Sequence, residues 1–310
     1  MHPPRPNPLE ALGPFDFAKL RALLQARTGI RLEDGKEYFV GQRLATLAVE
    51  LGYDHVPRLI EILNDEPAHG PLHRHVIEAL TISETSFFRD LHPFDALREI
   101  VIPRLVAARA ASRQLRIWSA ACASGQELYS VAVLIRDSFP ELGGWDLELL
   151  GTDFSNGALR RARAGRFSPI ETHRGLPAAT LVRWFHRDGA DWRVRDEIRT
   201  MVTFREHNLV TGSPLAPPMD LVLLRNVLMY FDTDTRRRVL ELVDRSMRPD
   251  GVLVLGAGET AVAREGPFSP EEVGRSVVLR PSGPRSPIPG SKVVFVGPLQ
   301  SGQAGRFPGR

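Results

Sequence analysis

The chain has 310 residues, 43% of them hydrophobic, and its 40 basic and 37 acidic residues leave a formal net charge of +3. This apolar content supports a folded core and excludes a mostly disordered chain. No run of 18 apolar residues predicts a transmembrane helix, and the amino terminus lacks the apolar segment of a secretory signal. Because Cys122 is the one cysteine, no internal disulfide can form. We therefore expect a cytoplasmic protein of one large or two modest domains.

The first part of the chain predicts a small all-helical domain. Residues 1–13 are rich in proline and are expected to be disordered. After them, apolar residues recur at helical spacing and no strand signal interrupts them. The predicted helices cover 15–28, 36–51, 56–64 and 71–80. Together they predict a helical domain over 14–85.

The chain beyond residue 86 alternates between strands and helices, after a long amphipathic segment at 93–111. Such alternation predicts an α/β fold with a doubly wound, mostly parallel, Rossmann-like sheet over 86–280. The predicted strands are 115–120, 147–153, 202–204, 220–224, 252–256 and 276–280. The predicted helices are 128–139, a helix capped by Ser155 and ended by Gly165, and 233–247, which a turn at Pro249-Asp250-Gly251 would close.

Two further stretches fall outside this alternation. Residues 191–198 alternate in polarity, which predicts a small antiparallel β excursion at about 184–203. Residues 281–310 are rich in Pro, Gly and Ser and predict a flexible tail, although 292–296 could instead pair as an edge strand.

Polar residues follow four of the predicted strands. Gly125 and Glu127 lie in the loop after the first strand, and Asp153 ends the second. Asn208-Leu209 and Arg225-Asn226 follow two more. Ligands of open parallel sheets bind beyond the carboxyl ends of the strands, so this convergence favours a nucleotide-type cofactor pocket. For the first two strand ends alone, a plain strand–turn–helix with a capping aspartate remains an alternative. Neither a G-x-G-x-x-G nor a G-K-[ST] motif is present.

Two stretches, Thr81–Asp90 and Leu224–Asp232, interleave polar residues with large apolar ones. These two stretches resemble the CheR family of chemotaxis receptor methyltransferases, together with residues 117–130, 151–153, 208–209 and 251–259. The similar stretches occur in consistent order over about 15–280. The resemblance implies an enzyme that transfers the methyl group of S-adenosylmethionine to glutamate carboxylates of chemotaxis receptors. The product would be glutamate methyl esters, which form in sensory adaptation.

The resemblance also implies roles for individual residues. Glu127 is expected at the methionine end of the cofactor and Asp153 at its ribose. The implied catalytic residues are Arg89 and Tyr230. The implied cofactor-binding residues are Ser83, Thr85, Arg89, Glu127, Asp153, Asn208, Leu209, Arg225 and Asn226. The chain departs from the usual family residues at Ser83, Gln126 and Gly258.

The resemblance implies partners as well. A basic group in the helical domain is either a solvated face or a docking surface for an acidic receptor coiled coil: Lys19, Arg21, Arg27, Arg31, Lys36 and Arg43. The 184–203 excursion resembles a β subdomain that, in some members, binds a receptor C-terminal pentapeptide by strand addition. We expect a cytoplasmic monomer recruited to membrane receptor arrays, with no membrane insertion and no nucleic-acid partner.

Competing interpretations rest on weaker signals. His69, His73 and His75 lack the cysteine or carboxylate pattern of a metal site, so no metal is expected. Cys122 is expected to be a small packing residue rather than a nucleophile. A cofactor-binding signalling module without turnover is a second class. A nucleic-acid methyltransferase is a third, suggested by a pI near 9.3, but no Asn/Asp-Pro-Pro-Tyr motif supports it.

Overall fold

The structure, a computed structural model, describes residues 12–67, 70–81 and 84–283. Its first part is a bundle of helices around one apolar core, in which Leu24, Val40 and Leu44 are fully buried. The helices are α1 (Pro14–Thr28), α2 (Glu37–Glu50), α3 (Val56–Asp65) and α4 (Pro71–Leu80). Prolines in the first turns of α1, α3 and α4 suit positions where an N–H has no helical partner. All four predicted helices are present, with ends within one residue of the prediction.

A helical arm joins this bundle to the rest of the chain. It runs through α5 (His92–Ala96), a π-helical turn (Leu97–Val101) and α6 (Ile102–Arg109). Leu97 and Ile102 are fully buried against the core of the second part. The arm corresponds to the amphipathic segment predicted at 93–111.

The described residues form ten strands in two sheets. They are β1 (Gln114–Ala120), β2 (Asp146–Asp153), β3 (Arg166–Phe167), β4 (Phe185–Asp188), β5 (Asp191–Val194), β6 (Val202–Glu206), β7 (Met219–Leu224), β8 (Met247–Leu255), β9 (Phe268–Val273) and β10 (Ser276–Pro281). The large sheet has the order β6-β2-β1-β7-β8-β10-β9, and the small one the order β3-β5-β4. The first five strands in this order, β6, β2, β1, β7 and β8, are parallel to one another, whereas β10 is antiparallel to both of its neighbours. This is the predicted doubly wound, mostly parallel sheet with a small antiparallel sheet beside it.

The helices that pack on the large sheet include α7 (Gln126–Ser138), α8 (Asn156–Ala164) and α12 (Thr233–Arg245). Short helices α9 (Pro169–His173) and α10 (Ala178–Trp184) lie against the small sheet, and α11 (Asp196–Arg199) lies against α7. There are 3₁₀ turns at Pro140–Gly144, Leu228–Tyr230 and Thr260–Glu265. Every residue of β7 is buried, as expected for a central strand with both faces covered. In the part of the chain that the structure describes, no helix is long and apolar enough to cross a membrane.

The end of the second large helix differs from the prediction. Helix α12 ends at Arg245, and Pro249-Asp250-Gly251 lies inside β8 rather than in a turn. Met247 pairs with Met219 and Val252 with Leu221, so the residues between them form a bulge. A bulge tolerates a proline because it does not require the missing ladder N–H.

Two β predictions also need correction. Strand β9 was not predicted, because Pro270 and the adjacent Glu271 and Glu272 hide its alternation. The strands of the small sheet lie between 166 and 194, whereas the sequence predicted the excursion at 184–203. Of the alternating residues 191–198, the last ones begin the short helix α11, and 202–206 belong to the large sheet. The possible edge strand at 292–296 lies outside the described residues.

Candidate active site

A pocket with an empty volume of about 910 Å³ opens at the carboxyl ends of β1, β2, β6 and β7. The sheet order reverses beside β1, and such a switch point is where open α/β sheets bind ligands. The predicted site residues that line this pocket are Thr85, Arg89, Glu127, Asp153, Asn208, Leu209, Arg225, Asn226 and Tyr230. Ser83 lies outside the described residues. The structure therefore brings the predicted residues together, while their individual roles stay predictions.

The loop after β1 wraps tightly around Asp153. Ala121, Ala123 and Gly125 all have positive φ, which small side chains tolerate best. The carboxylate of Asp153 accepts the N–H of Ala123 and that of Ser155, both at 2.9 Å. Burial raises the pKa of Asp153 above its ordinary value, and these N–H groups act in the opposite direction. Each oxygen keeps a second lone pair, so the carboxylate is held rigidly and can still accept from a ligand.

Arg225 is a strut between three chain segments rather than a free guanidinium. It donates to the Glu127 carboxylate at 2.9 Å, to the Arg89 carbonyl at 2.7 Å and to the Asp90 carboxylate at 2.9 Å. Its side chain is 2% exposed, and the guanidinium lies over the Phe94 ring. The resemblance implied that Arg225 binds the cofactor. The structure adds that both terminal nitrogens of its guanidinium bind protein partners, while the buried Nε has none among the described residues.

The sequence placed Glu127 in the loop after β1, but the residue lies on the first turn of α7. The left-handed Gly125 closes the loop, so the helix begins at Gln126. The Glu127 carboxylate also accepts from the Ser119 hydroxyl at 2.8 Å. Two carboxylates, Glu127 and Asp90, surround the one guanidinium of Arg225, so the cluster has a net charge of −1. This residual charge favours a cationic ligand group in the pocket.

Asn208 links the helical bundle to the sheet. Its amide nitrogen donates to the Arg27 carbonyl at the end of α1, at 2.7 Å, and its amide oxygen accepts the N–H of Val210 at 2.8 Å. The resemblance implied that Asn208 binds the cofactor. Both of its polar atoms already have protein partners, so it also joins the two parts of the chain.

The Arg89 guanidinium and the Tyr230 hydroxyl line the pocket and keep free donor capacity. Among the described residues, the Arg89 guanidinium makes one hydrogen bond, a long one of 3.4 Å to the Glu84 carbonyl. The Tyr230 hydroxyl has no hydrogen-bond partner among the described residues, while the Tyr230 carbonyl accepts the N–H of Arg31 at 3.0 Å. Both side chains can therefore donate to a bound molecule.

The segment around Arg89 has an unusual backbone. Phe88, Asp90 and Leu91 have positive φ although none is glycine, a conformation that persists only with outside support. That support comes from the Ser130 hydroxyl, which accepts the N–H of Phe88 at 3.0 Å, and from the buried Phe87 ring. Strain of this kind clusters at functional sites.

Other reactive side chains lie elsewhere or are inert. His73 pairs with Glu66 at 3.1 Å, and His69 lies outside the described residues. Within 12–67, 70–81 and 84–283, no group of three His, Cys, Asp or Glu residues could hold a metal. Burial raises the pKa of the Cys122 thiol well above its ordinary value, so it remains protonated and packs in the loop.

Sequence reasoning missed Glu259 as a site residue. Its buried carboxylate lies behind Asn226 and accepts that residue's N–H at 2.6 Å. An acid after the Gly-Ala-Gly run that follows β8 was the available signal. A burial this complete is visible only in the tertiary structure.

The fold and the pocket define a class of protein: a doubly wound α/β protein that binds a nucleotide-type cofactor at the switch point of its sheet. Residues 16–81 match the family model "CheR methyltransferase, all-alpha domain", and residues 83–276 match "CheR methyltransferase, SAM binding domain". The chain therefore belongs to the CheR methyltransferase family, and S-adenosylmethionine is its cofactor.

Two chemotaxis protein methyltransferases are similar to this chain over most of its length. Chemotaxis protein methyltransferase 1 of Pseudomonas aeruginosa is 36% identical over 249 residues, 79% of this chain and 89% of that protein. Chemotaxis protein methyltransferase Cher2 of Pseudomonas putida is 35% identical over 252 residues, 80% of this chain and 90% of that protein. Among solved structures, a TehB-like SAM-dependent methyltransferase from Corynebacterium glutamicum aligns at 16% identity with a TM-score of 0.33, over 61% of this chain and 97% of that one.

Proposed function

We propose that this protein transfers the methyl group of S-adenosylmethionine to glutamate side chains of chemotaxis receptors and so forms glutamate methyl esters. The observation that carries the proposal is the pocket itself, where a net negative cluster lies beside two hydrogen-bond donors that keep donor capacity, the Arg89 guanidinium and the Tyr230 hydroxyl. The names of the related chemotaxis protein methyltransferases support the same substrate class.

The residues of the pocket fit this cofactor. When bound, S-adenosylmethionine supplies an electrophilic methyl group on a positively charged sulfur. The cluster of Glu127, Asp90 and Arg225 has the charge that the cationic end of the cofactor needs. Asp153 has acceptor capacity for ribose hydroxyls, and Leu209 with Val210 offers apolar surface for a base.

The proposed substrate needs no general base. A glutamate side chain has an ordinary pKa of about 4.3, so it is already an anion at neutral pH. Both groups are donors, as this chemistry requires: the Arg89 guanidinium can hold a carboxylate and the Tyr230 hydroxyl can orient it. Alignment is the largest expected contribution, up to roughly 7–11 kcal/mol in ideal cases.

Two surfaces support a receptor as the partner. Arg31 is exposed and its N–H binds the Tyr230 carbonyl, so a basic residue of the helical part lies next to the pocket. We therefore propose that this basic surface docks an acidic receptor helix and recruits the protein to receptor arrays. In the small sheet β4 pairs with β5, and its other edge pairs with no described strand, which leaves it open to the strand addition proposed for a receptor pentapeptide.

The test is methyl transfer from radiolabelled S-adenosylmethionine to receptor cytoplasmic fragments, scored by base-labile release. Label that disappears when receptor glutamates are replaced by alanine would support the proposal. Arg89→Ala and Tyr230→Phe should each lower turnover by about 100-fold, because misplaced reactants cost that much, with little effect on stability. Unchanged turnover would contradict their roles. Absent transfer to a wide receptor panel, despite calorimetrically measured cofactor binding, would favour a signalling module without turnover.

A further inference from the structure

Glu259 is a buried carboxylate that does not line the cofactor pocket. It is 2% exposed, and none of the ion pairs formed by the described residues includes it. A buried anion without a cationic partner needs hydrogen bonds to remain stable in the fold. Those hydrogen bonds come from backbone N–H groups in the loop after β7 and at the end of β8.

The carboxylate ties the end of β7 to the end of β8. One oxygen accepts the N–H of Asn226 at 2.6 Å and that of Gly256 at 3.1 Å. The other accepts the N–H of Met229 at 3.2 Å. Three converging N–H groups form an anion-binding cradle, which here is filled by a side chain of the same chain.

The loop held in this way begins and ends with pocket residues. Asn226 has φ +59°, a left-handed conformation that needs outside support in a non-glycine residue. A 3₁₀ turn, Leu228–Tyr230, then brings Tyr230 to the pocket. Glu259 therefore binds the loop at its strained first residue and again one residue before Tyr230.

The fit is tight on the β8 side too. A Cβ added at Gly256 would lie 2.8 Å from the Glu259 carboxylate and 2.9 Å from the Asn226 amide nitrogen. Contacts under 3.0 Å force a shift, so a larger residue at Gly256 would displace these two side-chain groups. The position of the carboxylate is thus determined by close packing as well as by hydrogen bonds.

We propose that Glu259 is a positioning residue for methyl transfer: its carboxylate holds the loop from Asn226 to Tyr230 so that the Tyr230 hydroxyl faces the pocket. The inference deepens the proposed function and, for its effect on turnover, rests on it. An amide cannot replace the carboxylate, because its NH₂ group cannot accept from a backbone N–H. The three backbone N–H groups require a hydrogen-bond acceptor at both terminal atoms of the side chain.

The first test needs no activity. Amide hydrogen exchange of the ligand-free protein should be at least 10-fold faster at 226–230 and at Gly256 in Glu259→Gln than in wild type. The control Glu241→Gln, on the exposed face of α12, should leave these amides unchanged. Unchanged exchange in Glu259→Gln would overturn the inference even if methyl transfer to receptors is never observed.

The second test asks whether Glu259 acts through Tyr230. Glu259→Gln should lower turnover by about 100-fold in the wild-type background but only a few-fold in Tyr230→Phe, because coupled residues are not additive. The affinity for S-adenosylhomocysteine should change much less than turnover. An equal loss in both backgrounds would show a merely structural role. If Glu259→Gln does not fold, Gly256→Ala disturbs the same contact from β8 and takes its place in both tests.

Discussion

The guanidinium of Arg225 lies 2.9 Å from the carboxylate of Glu127, and the two side chains are 2% and 13% exposed. This pair differs from the ion pair of Arg237 with Asp234, whose arginine is 54% exposed. Water and salt screen the second pair, whereas the first is enclosed and joins α7 to the end of β7. The geometry of the pocket thus depends on an internal ion pair.

Arg225→Met should lower the free energy of unfolding by about 3–5 kcal/mol, because it leaves the Glu127 carboxylate, only 13% exposed, without its cationic partner. The control Arg237→Ala should cost no more than about 1 kcal/mol, as exposed pairs contribute little. Urea unfolding of the three proteins measures both values. Equal losses in the two variants would contradict the role of Arg225 as a strut.

Gly175→Ala should be much more harmful than Gly189→Ala. Both glycines have positive φ, which costs another residue about 1–2 kcal/mol. At Gly175 the added Cβ would also lie 2.0 Å from the Phe87 carbonyl, whereas at Gly189 the nearest atom is 3.6 Å away. Since Phe87 lies two residues before Arg89, we expect Gly175→Ala to lose both stability and methyl transfer. Thermal unfolding and turnover of the two variants test this, and similar behaviour would exclude the steric cause.

Asp250→Asn should reduce stability in a pH-dependent way. Hydrogen bonds from Arg109, at 2.6 and 2.8 Å, hold the pKa of Asp250 below its ordinary value. Because the folded-state pKa is the lower one, this stabilisation is present above the unfolded-state value of about 3.9 and is lost as the pH falls below it. The difference in urea midpoint between wild type and variant should therefore stay constant from about pH 7 to pH 5 and shrink as the pH falls below about 4.

The position of the Arg109–Asp250 pair provides a control for that experiment. Arg109 also binds the buried Asp220, at the amino end of β7 and so away from the pocket. Affinity for S-adenosylhomocysteine should consequently be the same in Asp250→Asn and wild type at neutral pH. A stability difference that does not vary with pH would contradict the electrostatic explanation.

Asn208→Ala should loosen the end of α1 and weaken cofactor binding. It removes the 2.7 Å hydrogen bond to the Arg27 carbonyl, and a hydrogen bond contributes about 0.5–1.5 kcal/mol. We expect about 2- to 10-fold weaker binding of S-adenosylhomocysteine in calorimetry, together with faster amide exchange at Gly29 and Ile30. Gln25→Ala, which removes an exposed hydrogen bond across the same junction, is the control and should change little. Weaker binding without faster exchange would indicate direct ligand contact instead.

Local sequence patterns predicted the helices and most strands, because each such element repeats apolar residues along its buried face. The run from Leu221 to Leu224 predicted a central strand, and β7 is one. Pro249-Asp250-Gly251 predicted a turn, but pairing with β7 places these residues in a bulge of β8. A bulge is set by the register of two strands that are distant in the chain, so the local residues do not reveal it.

The sequence by itself determined the order of the elements and the polar residues at the strand ends, and through them the family and its cofactor. These features depend on local periodicity and on residue types, which a single chain displays directly. Only the tertiary structure decided what each polar side chain binds: Arg225 an internal carboxylate, Asn208 the end of α1, and Glu259 the loop before Tyr230. The reason is physical, since burial and hydrogen-bond partners arise between segments brought together by folding, and neither spacing nor composition records them.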